Sequence, residues 1–245
     1  MDDTAIGAGN GQFPPTRGSA IEAIRSGDPE TRLAALEHLI AAYWKPCYKY
    51  IRLKWRQSNE EAKDLTQAFF TRALEKGVLD GFDPQRSRFR TYVRLCVDGF
   101  VSNERKAAGR QKRGGDRAML PLDFETAEGE LRQVEIPDGI SLEDYFHQEW
   151  VRSLFSLAVE ELRRRCESRG RETHFHVFER YDLEDREPGL TYQQLATEAG
   201  LPVTTVTNYL AAMRREFRAI LLAKLRGVTS SEREFREEAR FLLGR

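Results

Sequence analysis

The sequence predicts an all-α protein: two helical domains joined by a flexible acidic linker. Three observations lead there. Apolar residues recur at three- and four-residue steps in one stretch after another. Two helix starts carry reciprocal caps, Ser58 with Glu61 and Thr191 with Gln194, and each helix is followed by a glycine stop, Gly77 or Gly200. Between them, from Pro121 to about Glu149, no apolar period is sustained while carboxylates accumulate.

In chain order, residues 1–17 carry Gly7, Gly9, Gly11, Pro14 and Pro15 with few large apolar side chains, so they read as a disordered N-terminal arm. Ile21 and Ile24 mark a short helix that breaks near Gly27-Asp28-Pro29. Leu36, Leu39, Ile40, Tyr43, Cys47 and Ile51 then give one long helix with a wide apolar face, and Pro46 is its expected kink. The helix after Ser58 turns Ala62, Leu65, Phe69 and Ala73 inward, while Asp64 and Gln67, three apart, share an outer face.

The loop 78–87 leads into the stretch around which the chain is organised, Gln85 to Gly115. It sets Arg86, Arg88, Arg90, Arg94, Arg105, Lys106, Arg110, Lys112 and Arg113 against only Asp98 and Glu104. Phe89, Tyr92, Val93, Cys96, Phe100 and Val101 recur at helical steps, so one stripe enters a core while other faces present cations. Cations beside exposed rings suit a nucleic-acid strand, because phosphates pair with the charges and unstacked bases lie on the rings. A solvated basic face over an ordinary core is the competing reading of this stretch.

The acidic run follows, with Asp123, Glu125, Glu128, Glu130, Glu135, Asp138, Glu143, Asp144 and Glu149 against Arg132. Ser141 and Asp144, at cap spacing, start a helix with Tyr145, Val151, Leu154, Ala158 and Leu162 as apolar positions. The Thr191 cap opens a short helix that ends at Gly200, and Pro202 stands near the start of the next. That helix carries Val203, Val206, Leu210, Met213 and Phe217 on one side and Thr204, Thr205, Thr207, Asn208, Arg214, Arg215 and Arg218 on the other. Short helix, glycine turn and a second helix with a small polar N-terminal half is the layout of a helix-turn-helix, which sets such side chains against base edges and arginines on phosphates. The tail, 229–245, alternates charges around Phe235, Phe241 and Leu242 and is expected to form a peripheral helix.

Composition bounds the function. The chain has 245 residues, 32% of them charged, and a formal net charge of +0, so the charge is informative only in its segregation along the chain. No apolar run of membrane-spanning length and no signal-peptide pattern is present, and Cys47, Cys96 and Cys166 lie far apart. These point to a cytoplasmic protein with reduced thiols and no membrane partner. His174 and His176 lie two apart with no metal-ligand cluster beside them, and His38 and His147 are isolated. With no phosphate-cradling loop and no nucleophile motif, no enzyme, metal or cofactor is expected.

Taken together, EEAKDLTQAFFTRALEKG, FDPQRSRFRTYV with NERKAAGRQKRGG, and LTYQQLATEAGLPVTTVTNYLAAMRREF make the chain resemble the extracytoplasmic-function (ECF) sigma factors of bacterial RNA polymerase, over about Ser19 to Lys224. The resemblance implies sigma region 2 at 18–117, an acidic linker at 118–145 and sigma region 4 at 146–228. It implies that Asp64, Leu65, Gln67 and Phe70 dock on core RNA polymerase, whose beta and beta-prime subunits become partners. It implies that Phe82, Arg86, Arg88, Phe89, Arg90, Tyr92, Arg94, Asn103, Arg105 and Lys106 meet the minus-ten element of promoter DNA. Thr204, Thr205, Thr207 and Asn208 would read the minus-thirty-five element, with Arg214, Arg215 and Arg218 on phosphates. The linker would thread toward the polymerase channels, its Glu125, Glu128 and Glu130 imitating phosphates there. An anti-sigma factor or a regulatory kinase would be further partners.

Several positions depart from that pattern: Lys63 stands where an acidic residue is common, Pro202 replaces the usual serine cap, and Tyr209 and Ala212 stand where arginines are frequent. The rival within the same fold is a helix-turn-helix regulator that does not itself direct polymerase. Asp64 and Gln67 with Phe89 and Tyr92 separate the two, since a plain repressor has no use for a polymerase-docking face or a strand-capturing ring pair.

Overall fold

Helix α2, Pro29–Lys54, is the element on which the N-terminal half is built. Asp28 caps it by accepting the Thr31 N–H at 2.9 Å, Pro29 fits the first turn, and the helix continues through Pro46. Its apolar face is wide enough to bury Leu36, Leu39, Tyr43, Cys47, Tyr48, Tyr50 and Ile51. The short α1 (Ala20–Ala23), α3 (Asn59–Lys76) and α4 (Phe89–Ala108) pack against it. The computed structural model describes residues 20–24, 26–108, 120–133, 139–184 and 190–244. Among them are ten α-helices and no strand, as the periodicity predicts. The expected arm at 1–17 and the cations Arg110, Lys112 and Arg113 lie outside the described residues.

Both capping boxes form. Ser58 Oγ accepts the Glu61 N–H at 3.2 Å while Glu61 Oε2 accepts the Ser58 N–H at 3.1 Å, and Gly77 ends α3 at φ 63°. Thr191 and Gln194 exchange the same pair of bonds at 2.8 and 3.2 Å at the start of α8 (Tyr192–Ala199). Gly200, at φ 65°, turns the chain into α9 (Val203–Gly227). This left-handed position admits glycine readily, so the tight turn between α8 and α9 is written in the sequence.

Residues 120–133 of the acidic segment contain a helix, α5 (Phe124–Gln133), seated on α2. Its Phe124 packs edge-on against Trp44 and Tyr48, with ring centroids 5.4 and 5.2 Å away. One aromatic anchor and a few carboxylates are too little to raise an apolar period in the sequence, which is why the helix escapes a pattern search.

Helix α6 (Leu142–Glu167) begins at its expected Ser141 cap, where the Asp144 N–H bonds Ser141 Oγ at 3.0 Å. At 26 residues it is about 39 Å long and serves both halves. Its first half lies on α2, where Trp150 stacks with Tyr43 at 6.1 Å and Phe146 meets Tyr50 at 5.5 Å. Its second half lies on α9, with Phe155 against Phe217 at 5.7 Å and Cys166 Sγ 3.5 Å from Met213 Sδ. One continuous apolar core therefore runs from Ile21 to Val228. Around it, α7 (Glu172–Phe178) runs into a π-helical turn, Glu179–Leu183, and packs on α9. The two halves also touch where Gly227 backs onto His38: a Cβ there would lie 2.5 Å from His38 Nε2.

The tail forms α10 (Glu232–Leu243), capped by Ser231 on the Glu234 N–H at 3.1 Å. Its buried residues are two glutamates, Glu234 and Glu238. That is an unusual anchor, because a buried carboxylate is stable only where a cation or donors meet it.

Candidate nucleic-acid interface

The start of α4 is where most of the expected minus-ten residues converge; Arg86 and Arg88 are exposed there, but the rings are not open. Phe89 is fully buried, its ring 5.8 Å from Tyr43 and 5.0 Å from Phe82, which is itself 3% exposed. Tyr92 is half-buried against Phe82 at 5.4 Å and donates its hydroxyl to the Val78 carbonyl at 3.3 Å. The exposed ring pair expected from the sequence, Phe89 with Tyr92, is thus corrected: Phe89 joins Phe82 in the core and Tyr92 is half-buried. Phe89 falls on the inward stripe together with Val93 and Val97, and a core position offers more apolar contact than the surface.

The cations around these rings are engaged by the tail. Arg88 pairs with Glu237 at 2.7 Å and with Glu238 at 3.0 Å. Arg90 pairs with the same Glu238 carboxylate and lies with its guanidinium 5.4 Å from the Trp150 ring. Glu234 Oε1 accepts the Phe89 N–H at 3.2 Å, at a helix start where Arg88 has no acceptor to offer. His147 Nε2 stands 3.4 Å from Glu238 Oε2. Burial works to raise the Glu238 carboxyl, yet contact with His147 and the Arg90 charge hold it below the usual carboxylate range.

Further along α4, Arg94 meets Glu143 at 3.1 Å and Asp98 at 3.7 Å. Arg86, Asn103, Arg105 and Lys106 are exposed, Arg105 over the Trp55 ring at 5.5 Å. On α3, Asp64 is exposed and Leu65 half-buried. Gln67 exchanges two hydrogen bonds with the Leu120 backbone, at 2.8 and 2.9 Å, and Phe70 is buried against Phe69. Of the four expected docking residues, Asp64 alone presents an uncommitted side chain to solvent.

The acidic segment also lies on cations. Glu128 accepts from Arg52 at 2.9 and 3.0 Å and from the Tyr48 hydroxyl at 2.6 Å. The Arg52 hydrogen bonds hold its carboxyl at about 2. Glu130 meets Lys45 at 2.7 Å and Lys49 at 2.8 Å, and the 2% exposed Lys49 also meets the buried Glu149 at 2.6 Å. Burial works to raise the Glu130 carboxyl, but the bonds from Lys45 and Lys49 keep it below its ordinary value. Sequence reading names these carboxylates without their partners, which sit 80 or more positions away in the cases of Tyr48 and Lys49.

The start of α9 is different. Thr204 and Asn208 are exposed, and Thr205 and Thr207 are half-buried beside them, with the Thr207 hydroxyl turned back onto the Thr204 carbonyl at 2.9 Å. Val206, Leu210 and Met213 hold the opposite face in the core. Arg215 and Arg218 are exposed. Arg214 is held by a two-point bond to Asp182 at 2.8 and 2.9 Å, which raises its pKa. No group of three metal-ligating side chains converges among the described residues, and no described helix is long and apolar enough to cross a membrane.

A helical bundle with a basic helix, linked through α6 to a capped helix-turn-helix, has the layout of a DNA-binding protein. The ECF sigma factor family model matches residues 18–223, and the chain belongs to that family. No curated protein and no solved structure matches it.

Proposed function

We propose that this chain binds core RNA polymerase and directs it to promoters with a shared two-block sequence, contributing no catalytic step of its own. The observation that carries the reading is the presence of both DNA elements in one family-matched chain: the capped helix-turn-helix with its open polar turn, and the basic helix α4. Asp64 on α3 is the contact to polymerase, with Leu65 and Gln67 beside it. Thr204, Thr205, Thr207 and Asn208 read the upstream block in the major groove, where each well-placed contact discriminates by about 1–3 kcal/mol. The helix α4 region meets the separated non-template strand of the downstream block. Opening costs roughly 1.4 kcal/mol per base step, which phosphate contacts along α4 and stacking of a base on the half-buried Tyr92, worth about 1–3 kcal/mol, work to offset.

Run-off transcription tests this, using core polymerase from the same cell, a genomic promoter library, and either this protein or its Asp64→Ala variant. The expected result is initiation at a common motif and loss of most transcripts with Asp64→Ala, by about tenfold or more for a contact worth at least 1.4 kcal/mol. Duplex binding with no initiation would instead assign the chain to helix-turn-helix regulators that do not direct polymerase.

A further inference from the structure

We propose that the C-terminal helix α10 is an intramolecular mask, whose carboxylates hold the cations that would otherwise take the phosphates of single-stranded promoter DNA. The proposal rests on the reading of α4 as the strand-binding helix.

Three observations carry it. The first is where the carboxylates sit. Glu237 and Glu238 take Arg88, Glu238 takes Arg90 and faces His147, and Glu234 accepts the first free N–H of α4. A helix start flanked by two guanidinium groups is an anion site by its own physics, since the unpaired N–H groups and the helix dipole favour negative charge. In the free chain the tail supplies that anion.

The second is how the tail is attached. Glu234 and Glu238 are its buried residues, while Phe235, Ala239 and Leu242 are only partly covered and Phe241 is 60% exposed. A helix of 12 residues is marginal on its own in water. Its seat is therefore largely electrostatic, and a phosphate chain, which offers the same cations repeated negative charge, competes for it directly.

The third is the place of the tail in the chain. Residues 232–243 lie beyond the family match, which ends at 223. The mask is thus an addition to the part that carries the family's fold.

Full-length protein carrying Glu234→Gln, Glu237→Gln and Glu238→Gln together tests the mask, read as anisotropy of a fluorescein-labelled single-stranded DNA at fixed salt. The expected result is an affinity gain of about tenfold, since each freed phosphate contact adds to counterion release. The gain should vanish when Arg88→Ala and Arg90→Ala are added. Glu237→Gln alone, at a half-exposed position that leaves the buried carboxylates in place, should give a smaller gain of the same sign, and it decides the matter if the triple variant does not fold. No gain in either variant, or a gain that survives loss of Arg88 and Arg90, overturns the mask. Run-off transcription by the unaltered chain, performed alongside, separates the two ideas. Normal initiation without any affinity gain removes the mask and leaves the polymerase reading standing, while no initiation and no strand binding removes both.

Discussion

At the start of α4, the exposed Arg88 and the half-buried Arg90 are paired with Glu237 and Glu238, and Phe82 and Phe89 are packed inside. At the start of α9, Thr204 and Asn208 stand in solvent, with Arg215 and Arg218 exposed farther along the helix. The two faces expected to meet DNA thus differ in what the rest of the chain does to them. The formal net charge of +0 hides this difference. The carboxylates are spent unevenly: α5 sits on Lys45, Lys49 and Arg52, α10 sits on Arg88 and Arg90, and the first turns of α9 carry neither segment. On the proposed function, the duplex-reading face is left available while the strand-binding face is held back, an order that would suit a protein needing polymerase before it opens DNA.

The largest break in that comparison should come from Trp150→Ala. The indole is 1% exposed, stacks on Tyr43 and lies beneath the Arg90 guanidinium, so it supports the covered face and joins α6 to α2 at once. Truncating a buried tryptophan costs about 3–5 kcal/mol. Urea unfolding should show that loss together with easier hydrogen exchange at the start of α4, while the amides of α8 change less. A loss below about 1 kcal/mol would mean that the shared core does not hold the covered face in place.

Acid should loosen the cover of the N-terminal half next. Arg52 holds the Glu128 carboxyl at about 2, against an ordinary value of 4.5. Because the folded value is depressed, the stabilisation is complete above about pH 4.5 and is lost as pH falls toward 2. Its size is on the order of 3 kcal/mol. Urea midpoints between pH 6 and pH 3 should therefore fall more steeply for the unaltered chain than for Glu128→Gln. Equal slopes would remove Glu128 from the list of groups that hold α5 down.

How far the sequence reaches follows from the range of each interaction. The caps at Ser58, Ser141 and Thr191 and the stops at Gly77 and Gly200 involve residues three apart or single backbone positions, and each stands where the sequence places it. The polar first turn of α9 is equally legible, because one helix's periodicity separates Thr204 and Asn208 from Val206 and Leu210. The state of α4 is not. Glu238 meets Arg90 across 148 positions, and nothing local marks that pairing. The same periodicity that places Phe89 on a stripe with Val93 does not say that Phe82 and Tyr43 wait to enclose it. Helix α5 is missed for a related reason, since its seat is made by Arg52 and Lys49 on another helix.

The finest test lies within α9, where three arginines expected on phosphates are not equivalent. Arg215 and Arg218 are exposed, whereas Arg214 is already neutralised by both oxygens of Asp182. A cation that enters the complex unpaired releases condensed counterions from DNA, and one that keeps its own carboxylate releases few. Arg215→Ala and Arg218→Ala should each lower the log–log salt slope of duplex binding by roughly one unit. Arg214→Ala should change it by less, and Asp182→Asn, by freeing Arg214, should steepen it. If Arg214→Ala instead matches the other two, Asp182 lets go when DNA arrives. In that case the α9 face would be held in reserve by a carboxylate of its own, a weaker version of the arrangement that covers α4.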